Sequence, residues 1–279
     1  WKGEPFAVAM GKAEAFMSKE SYFSGDGRVD AARVHAYIKG YYGRWMNERH
    51  LYEVIGVELK FHRTDILSDN ITTATAGKLD VLVRRKSDGQ LIIIEHKTAG
   101  PYSKADEPGS PYWMKLSMDT QSCFYIDKIH KITGEMPLLM YDVVLKTRSA
   151  PLKSKARKKK DETQAQLEAR KAKDLEPIPA YKARLASIYA HEGEKRYFRK
   201  IVNITQKELD RKRAELNSMM IDIDVTSRHP VSSWSRVRNT SVCNGYGSTC
   251  EFMGVCTGVE QLIDPKFKKK EATHEELSQ

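Results

Sequence analysis

The first part of the chain has the composition of a helical region. Residues 1–50 combine strong helix formers with many aromatic side chains, and residues 9–17 predict a first helix. A second helix is predicted to begin at an Asp30 cap and to end near Asn47.

The hydrophobic period then changes to that of strands. Strands are predicted at 52–61, 77–85 and 91–98, and Asp88-Gly89 predicts a tight turn before the third. This third strand opens with the unbroken apolar run Leu91–Ile94. Such a run indicates burial on both faces, so we expect a central place in the sheet.

The remaining segments complete an α/β pattern. A helix is predicted at 113–132 and a strand at 138–146, which gives the order β–β–β–α–β. Another strand is predicted at 197–203, and the capping box Thr205-x-x-Glu208 opens a long helix to about Ile223.

Residues 149–176 differ in composition from their surroundings. The run Lys153–Lys160 is strongly basic, and the polar stretch after it has almost no apolar stripe. We interpret 149–176 as an exposed basic insertion. It is either a mobile, solvated loop or a contact for nucleic acid.

Composition narrows the classes of protein. The 279 residues are 40% hydrophobic and carry a net charge of +10. Global disorder is therefore excluded, and no stretch approaches the ~18 apolar residues of a membrane helix. The charge favours a polyanionic partner, although a basic surface can also serve solubility alone.

Candidate chemistry lies on the second and third predicted strands. Asp80 interrupts one hydrophobic strand, and Glu95 and Lys97 follow the apolar run of the next with side chains on the same face. Two close carboxylates repel each other, and a divalent cation bound by oxygen ligands relieves that repulsion. The alternative is a salt bridge between Lys97 and one acid on the sheet surface.

Three of the four cysteines lie within 14 residues. Cys243, Cys250 and Cys256 form this group, while Cys123 stands apart. Clustered cysteines in a chain of this size favour a metal site over a disulfide framework. The alternative is three unrelated buried thiols.

The combination resembles the PD-(D/E)XK nuclease superfamily. The signature pieces are Gly77-Lys-Leu-Asp80 and Glu95-His-Lys97, and the next helix carries Gln121-x-x-x-Tyr125, similar to a motif of the RecB-like and phage-exonuclease branch. At this spacing Gln121 and Tyr125 share one helix face.

The resemblance implies a restriction-endonuclease-like α/β core, a central mixed sheet flanked by helices. It also suggests a division of the chain into an N-terminal helical region (1–50), the nuclease core (51–148), the basic insertion (149–176), a strand and long helix completing the core (177–226), and a cysteine-cluster segment with a charged tail (227–279).

The same resemblance implies roles for the motif residues. Asp80, Glu95 and the carbonyl of His96 would hold Mg²⁺ or Mn²⁺, Lys97 would position the attacking water, and Gln121 and Tyr125 would contact the scissile phosphate or the adjacent nucleotide.

The family also has a helical metal ligand. Ala15 stands where the family's Gly-x-x-x-His motif has its histidine, so Glu14, His35 and Glu58 are the candidate substitutes.

The cysteine group is similar to the C-terminal ligands of a [4Fe–4S] cluster in such nucleases. Cys243, Cys250 and Cys256 would be three ligands, and the fourth would be Cys123 or a residue before Trp1. Zinc is the alternative metal for the same thiolates.

The function expected is therefore a metal-dependent deoxyribonuclease, an exonuclease of phage or bacterial recombination and repair. Its expected partners are DNA and other recombination proteins, its compartment the cytoplasm of a bacterial or phage-infected cell, without membrane association. The alternatives are a nucleic-acid-binding protein with a decayed nuclease core, and a zinc-stapled interaction module of a recombination complex.

Overall fold

The structure is a computed structural model that describes residues 8, 10–12, 15, 27–68, 71–230, 243, 249–261 and 267. The chain forms two compact units. The first comprises residues 1–60 and 78–213, and the second comprises residues 61–77 and 214–279.

The described strands form one sheet in the order β1-β2-β3-β4-β5. They are β1 Tyr52–Ser68, β2 Ile71–Arg85, β3 Leu91–Ala99, β4 Leu138–Leu145 and β5 Tyr197–Val202. β3 pairs antiparallel with β2 and parallel with β4, and β4 pairs antiparallel with β5. The sheet is therefore mixed, and β3 has the central position predicted for it.

Helices flank this sheet, so the predicted α/β class is confirmed. They are α1 Gly27–Trp45, a 3₁₀ helix Met46–Leu51, α2 Pro111–Ser117, α3 Thr120–Thr133, α4 Gln164–Lys173, α5 Ile178–His191, α6 Gly193–Arg196, α7 Gln206–Ser227 and α8 Met253–Thr257. Residues 10–12 and 15 of the first predicted helix are also helical, as is residue 8 just before it.

The turn between β2 and β3 follows the chemistry of its residues. Gly89 adopts a φ of 72°, which a side chain disfavours, and the Asp88 carboxylate accepts a hydrogen bond from the Gln90 amide at 3.2 Å. Arg85 pairs with Asp88 at 2.6 Å and closes the turn. The hairpin sets β2 and β3 in the register that the candidate site requires.

Helices α1 and α5 pack together through small and aromatic residues. Gly40 marks the closest approach, since a Cβ there would lie 2.8 Å from the Cβ of Tyr189. Tyr197 of β5 donates its hydroxyl to the Tyr37 carbonyl at 2.8 Å, which joins this layer to the sheet. The apolar core of this layer is Ala32, Ala36, Trp45, Tyr181, Leu185, Tyr189 and Tyr197.

The helix predicted at 113–132 is wrong as one element, because the structure divides it into α2 and α3. Tyr141 of β4 reaches the break. Its hydroxyl donates to the Leu116 carbonyl at 3.0 Å and also contacts Ser122. This long-range contact takes up polar groups at the point where the first helix ends, which no local pattern reveals.

Two further expectations need correction. α1 begins at Gly27, so Asp30 lies in its first turn, where it pairs with Arg33 at 2.9 Å, and is not the cap. Helix α5 was not predicted, although Tyr181, Leu185 and Tyr189 recur at the helical spacing and are fully buried.

The second unit contains the distal parts of β1 and β2, the later part of α7 and the short helix α8. Within it Phe252 and Phe267 stack with ring centroids 5.4 Å apart. Across the described residues of both units, no helix has the length and hydropathy needed to cross a membrane.

Candidate active site

Asp80 lies within β2, and Glu95 lies within the neighbouring strand β3. The register between these strands runs to the pair Val81–Ile94. One residue further on, the Asp80 carboxylate accepts a hydrogen bond from the His96 amide at 2.8 Å. The Asp80 side chain thus takes the place of a backbone acceptor for the His96 amide where the β2–β3 ladder ends. This hydrogen bond fixes the Asp80 carboxylate against β3.

Glu95 carries its carboxyl group into the protein interior. The residue is 2% exposed, and its Oε1 atom has no hydrogen-bond partner. Burial, with the nearby Asp80 charge as a second cause, raises the pKa of Glu95 to about 7. A buried carboxylate with one bare oxygen and an acidic neighbour provides oxygen ligands for a hard cation.

Lys97 lies on the same face of β3 and is held from two sides. Its Nζ lies 3.3 Å from Glu95 Oε2 and donates to Gln121 Oε1 at 3.0 Å. The salt bridge expected as the alternative is therefore present, but it involves the buried acid at the candidate site.

Gln121 and Tyr125 share one face of α3, as their spacing predicted. The Gln121 amide donates to the Tyr125 hydroxyl at 3.0 Å, and this hydroxyl donates to the Lys78 carbonyl at 3.0 Å. Gln121 is exposed, whereas Tyr125 is 7% exposed. The contacts run from Lys97 through α3 back to β2, two residues before Asp80.

The two carboxylates at the site are the kind of oxygen donors that suit a divalent cation such as Mg²⁺. Within the described part of the chain, no three or more His, Cys, Asp or Glu side chains are grouped to hold a metal. Asp80 and Glu95 would therefore supply two ligands, and main-chain, water and phosphate oxygens the others, which is usual for magnesium.

The candidates for a helical ligand are spread apart. Glu14 lies outside the described residues, and His35 lies half-buried in α1. Glu58 pairs with Lys78 Nζ at 2.5 Å and has a φ of 55°, which departs from the strand conformation. Glu58 is therefore engaged by a lysine of the neighbouring strand.

The side chain of His96 lies on the opposite face from Glu95 and Lys97. Its Nδ1 is 3.7 Å from Oδ2 of Asp142, the residue that it faces across the β3–β4 ladder. Asp142 is fully buried, and it accepts hydrogen bonds from Tyr41 at 2.5 Å and Arg199 at 2.9 Å. Burial, then the Asp142 charge, raises the pKa of Tyr41.

Sequence reasoning missed two acids near the site. Asp142 interrupts the hydrophobic strand β4, and this is the same signal that singled out Asp80. Asp119 lies at the break between α2 and α3, and its charge is a further cause of the raised Glu95 pKa. The position of Asp119 follows from the break between the two helices, and the sequence pattern gives no sign of that break.

The three clustered cysteines all fall within the second unit. The Cys250 amide donates to the Cys243 carbonyl at 2.7 Å, while Cys256 is exposed in α8. Cys123 is 2% exposed in α3 of the first unit. Since the described residues contain no three-donor group, the [4Fe–4S] cluster stays a prediction from the sequence.

Comparisons with known proteins add little to this picture. No family model and no curated protein matches the chain. Among solved structures, the protein SSO0001 is similar, with 14% identity, a TM-score of 0.25, and coverage of 66% of this chain and 84% of that chain. A likeness of this size carries no conclusion about function.

The raised pKa of Glu95 predicts a pH-dependent stability. In the unfolded chain this carboxyl ionises near 4.5, and in the folded protein near 7. The folded state therefore binds more protons between these values, and the free energy of unfolding falls as pH rises through them, by about 3 kcal/mol from this group. Glu95→Gln should remove this contribution in metal-free chemical denaturation from pH 4.5 to 8.

The control for this experiment is Glu107→Gln, which changes an exposed acid paired with Lys104. Above pH 7, Mn²⁺ should raise the melting temperature of the wild type more than that of Glu95→Gln or Asp80→Asn. Equal pH profiles for wild type and Glu95→Gln would contradict the assignment of the buried proton.

The cysteine cluster predicts bound iron and sulfide. Protein purified without oxygen should contain both, and Cys250→Ser should lose the charge-transfer absorbance of the cluster and become more sensitive to proteolysis after residue 227. Cys123→Ser is the comparison that tests the fourth ligand. Stoichiometric zinc without sulfide would identify the site as a zinc site and not an iron–sulfur cluster. Protein that contains no metal would mean that the three cysteines are ordinary thiols.

Proposed function

We propose that the protein is a Mg²⁺- or Mn²⁺-dependent deoxyribonuclease that hydrolyses phosphodiester bonds as an exonuclease. One observation carries the proposal. The buried Glu95 carboxyl group has one oxygen without a hydrogen-bond partner. It is close both to the Asp80 charge on the neighbouring strand and to the Lys97 ammonium on its own strand. This set of groups resembles the acid, acid and lysine of the PD-(D/E)XK nucleases.

Each residue has a role that follows from its contacts. Asp80 and Glu95 would hold the cation, which supplies charge stabilisation at the phosphate and a more acidic bound water. Lys97 orients the attacking water and stabilises negative charge that develops on the phosphate. Gln121 fixes the Lys97 ammonium and is exposed toward substrate, while the buried Tyr125 positions Gln121.

The basic strip, residues 153–160, supports DNA as the substrate. Its side chains Lys153, Lys155, Arg157, Lys158, Lys159 and Lys160 are all exposed. Two neighbouring acids form ion pairs with arginines outside the strip: Glu162 with Arg170 at 2.7 Å, and Glu176 with Arg184 at 2.6 Å. The hydrogen bond from Arg170 is the main cause of a Glu162 pKa of about 2. The strip therefore presents six exposed cations.

The strip is also fixed to its surroundings. Ser154 donates to Asp174 at 2.8 Å, the Lys159 amide donates to Glu162 at 3.0 Å, and Arg170 donates to the Arg157 carbonyl at 2.9 Å. Helix α4 begins with a Thr163 capping box and anchors Leu167, which is 5% exposed. These contacts hold the backbone in place while the cations face solvent.

The second candidate function is DNA binding without cleavage. It is favoured by Ala15 at the position of the helical ligand and by the absence of a three-donor group in the described ranges. Both candidate functions require DNA binding, but only the nuclease cleaves the DNA, so a cleavage assay separates them.

Lys97→Ala is predicted to lower the cleavage rate by at least about a hundredfold. The protein should stay folded at pH 7, because loss of the ammonium favours the protonated form of Glu95. The measurement is the Mn²⁺-dependent digestion of end-labelled single- and double-stranded DNA, with melting temperatures measured in parallel.

Lys86→Ala is the matched control, because Lys86 is an exposed lysine in the β2–β3 turn. A Lys97→Ala protein as active as Lys86→Ala would remove the lysine from the mechanism. A wild type that binds DNA but never cleaves it would favour the second candidate.

Neutralising the basic strip is predicted to weaken DNA binding and to flatten its dependence on salt. Each phosphate that the variant no longer neutralises should reduce the slope of log K against log salt by about 0.7–0.9. The triple variant Lys153→Gln, Lys155→Gln, Lys158→Gln is compared with Lys39→Gln, Lys86→Gln, Lys207→Gln, which removes the same charge from other exposed positions. Identical slopes for the two triple variants would show that the basic strip does not contact the DNA phosphates.

A further inference from the structure

The loop after β3 presents an aromatic ring to solvent. The Ser103 amide donates to the Gly100 carbonyl at 3.0 Å, which forms a turn with Pro101 at its second position and Tyr102 at its third. Tyr102 is 75% exposed. Burial therefore cannot explain the aromatic side chain at this position.

The loop that carries Tyr102 is anchored to the core. The buried Trp113 donates its indole N–H to the Ala105 carbonyl at 2.9 Å, and Ala105 is 2% exposed. The Ser110 hydroxyl closes the loop by donating to the Lys104 carbonyl at 2.7 Å. A fixed scaffold thus holds the ring outward, which reduces the entropy lost when a ligand stacks on it.

Arg148 reaches Tyr102 from the segment that follows β4. Its guanidinium lies over the Tyr102 ring, and Arg148 is itself exposed. Ala99 and Leu145 pair at the ends of the parallel strands β3 and β4, and the Lys146 amide donates to the Ala99 carbonyl at 2.8 Å. Tyr102 and Arg148 therefore follow the carboxyl ends of β3 and β4, and Lys97 lies two residues before the end of β3.

We propose that Tyr102 and Arg148 form a stacking platform for a base of single-stranded DNA that enters the candidate active site. The proposal rests on the function proposed above and specifies the form of its substrate. An exposed ring binds the face of a base, and bases in the interior of a duplex are already stacked on both faces, so the platform selects unpaired nucleotides. Arg148 and the basic strip that begins five residues later bind the phosphates.

The test measures the affinity of Tyr102 variants for a fluorescein-labelled oligothymidine and for a blunt duplex of equal length. Metal is removed with EDTA so that no cleavage occurs. Tyr102→Ala should bind the single strand about five- to hundredfold more weakly and the duplex within about twofold of wild type. Tyr102→Phe, which keeps the ring, should retain single-strand affinity, as should the control Tyr42→Ala on α1.

A base analogue gives an independent signal of stacking. Fluorescence of 2-aminopurine placed in the single strand should be quenched by wild type and by Tyr102→Phe, but less by Tyr102→Ala. Unchanged single-strand affinity in Tyr102→Ala would overturn the platform, and so would an equal loss for single strand and duplex.

The Mn²⁺ cleavage assay separates this proposal from the nuclease function. A protein that loses single-strand binding in Tyr102→Ala but never cleaves DNA would support the platform and overturn the nuclease. If the wild type cleaves DNA and the Tyr102→Ala variant binds the single strand like wild type, the nuclease function is supported and the platform is overturned.

Discussion

The arrangement of the site depends on one buried carboxyl group. A carboxylate removed from water is costly unless it is paired, and Glu95 has only one of its oxygens paired. Burial is the main cause that favours the protonated acid and raises its pKa. Asp80 and Asp119 act in the same direction, whereas Lys97 favours the anion. The result is a carboxyl group with a pKa of about 7, held in place by the contacts around it.

The hydrogen bonds around Glu95 connect β3 to α3, α3 to β2, and β2 back to β3. From Lys97 the hydrogen bonds pass to Gln121, to Tyr125 and to the Lys78 carbonyl. From there β2 leads to Asp80, whose carboxylate returns to β3 at the His96 amide. The parallel crossover through α2 and α3 is what places Gln121 over the end of β3. The break between these helices, held by Tyr141, determines where α3 begins.

The sequence predicted those features whose cause is local. The apolar run at Leu91 predicted the central strand, Asp88-Gly89 predicted the turn, and the spacing of Gln121 and Tyr125 predicted their shared face. The helix break at Met118 and Asp119 depends on Tyr141, more than twenty residues away, and left no local signal. Helix α5 was missed although its local signal was present, since its three buried residues recur every four positions. Asp142 could have been found by the criterion applied to Asp80.

The alternation of β3 has a consequence for how this segment tolerates change. Glu95 and Lys97 face the candidate site, while His96 between them faces Asp142 and the ring of Tyr41, whose centroid lies 5.9 Å from its own. Three consecutive residues therefore have two unrelated surroundings. Positions 95 and 97 are constrained by the chemistry of one face, and position 96 is constrained by the packing of helix α1 against the other. Substitutions at Tyr41, Asp142 or Arg199 would act on β3 through its backbone, from the face opposite Glu95 and Lys97.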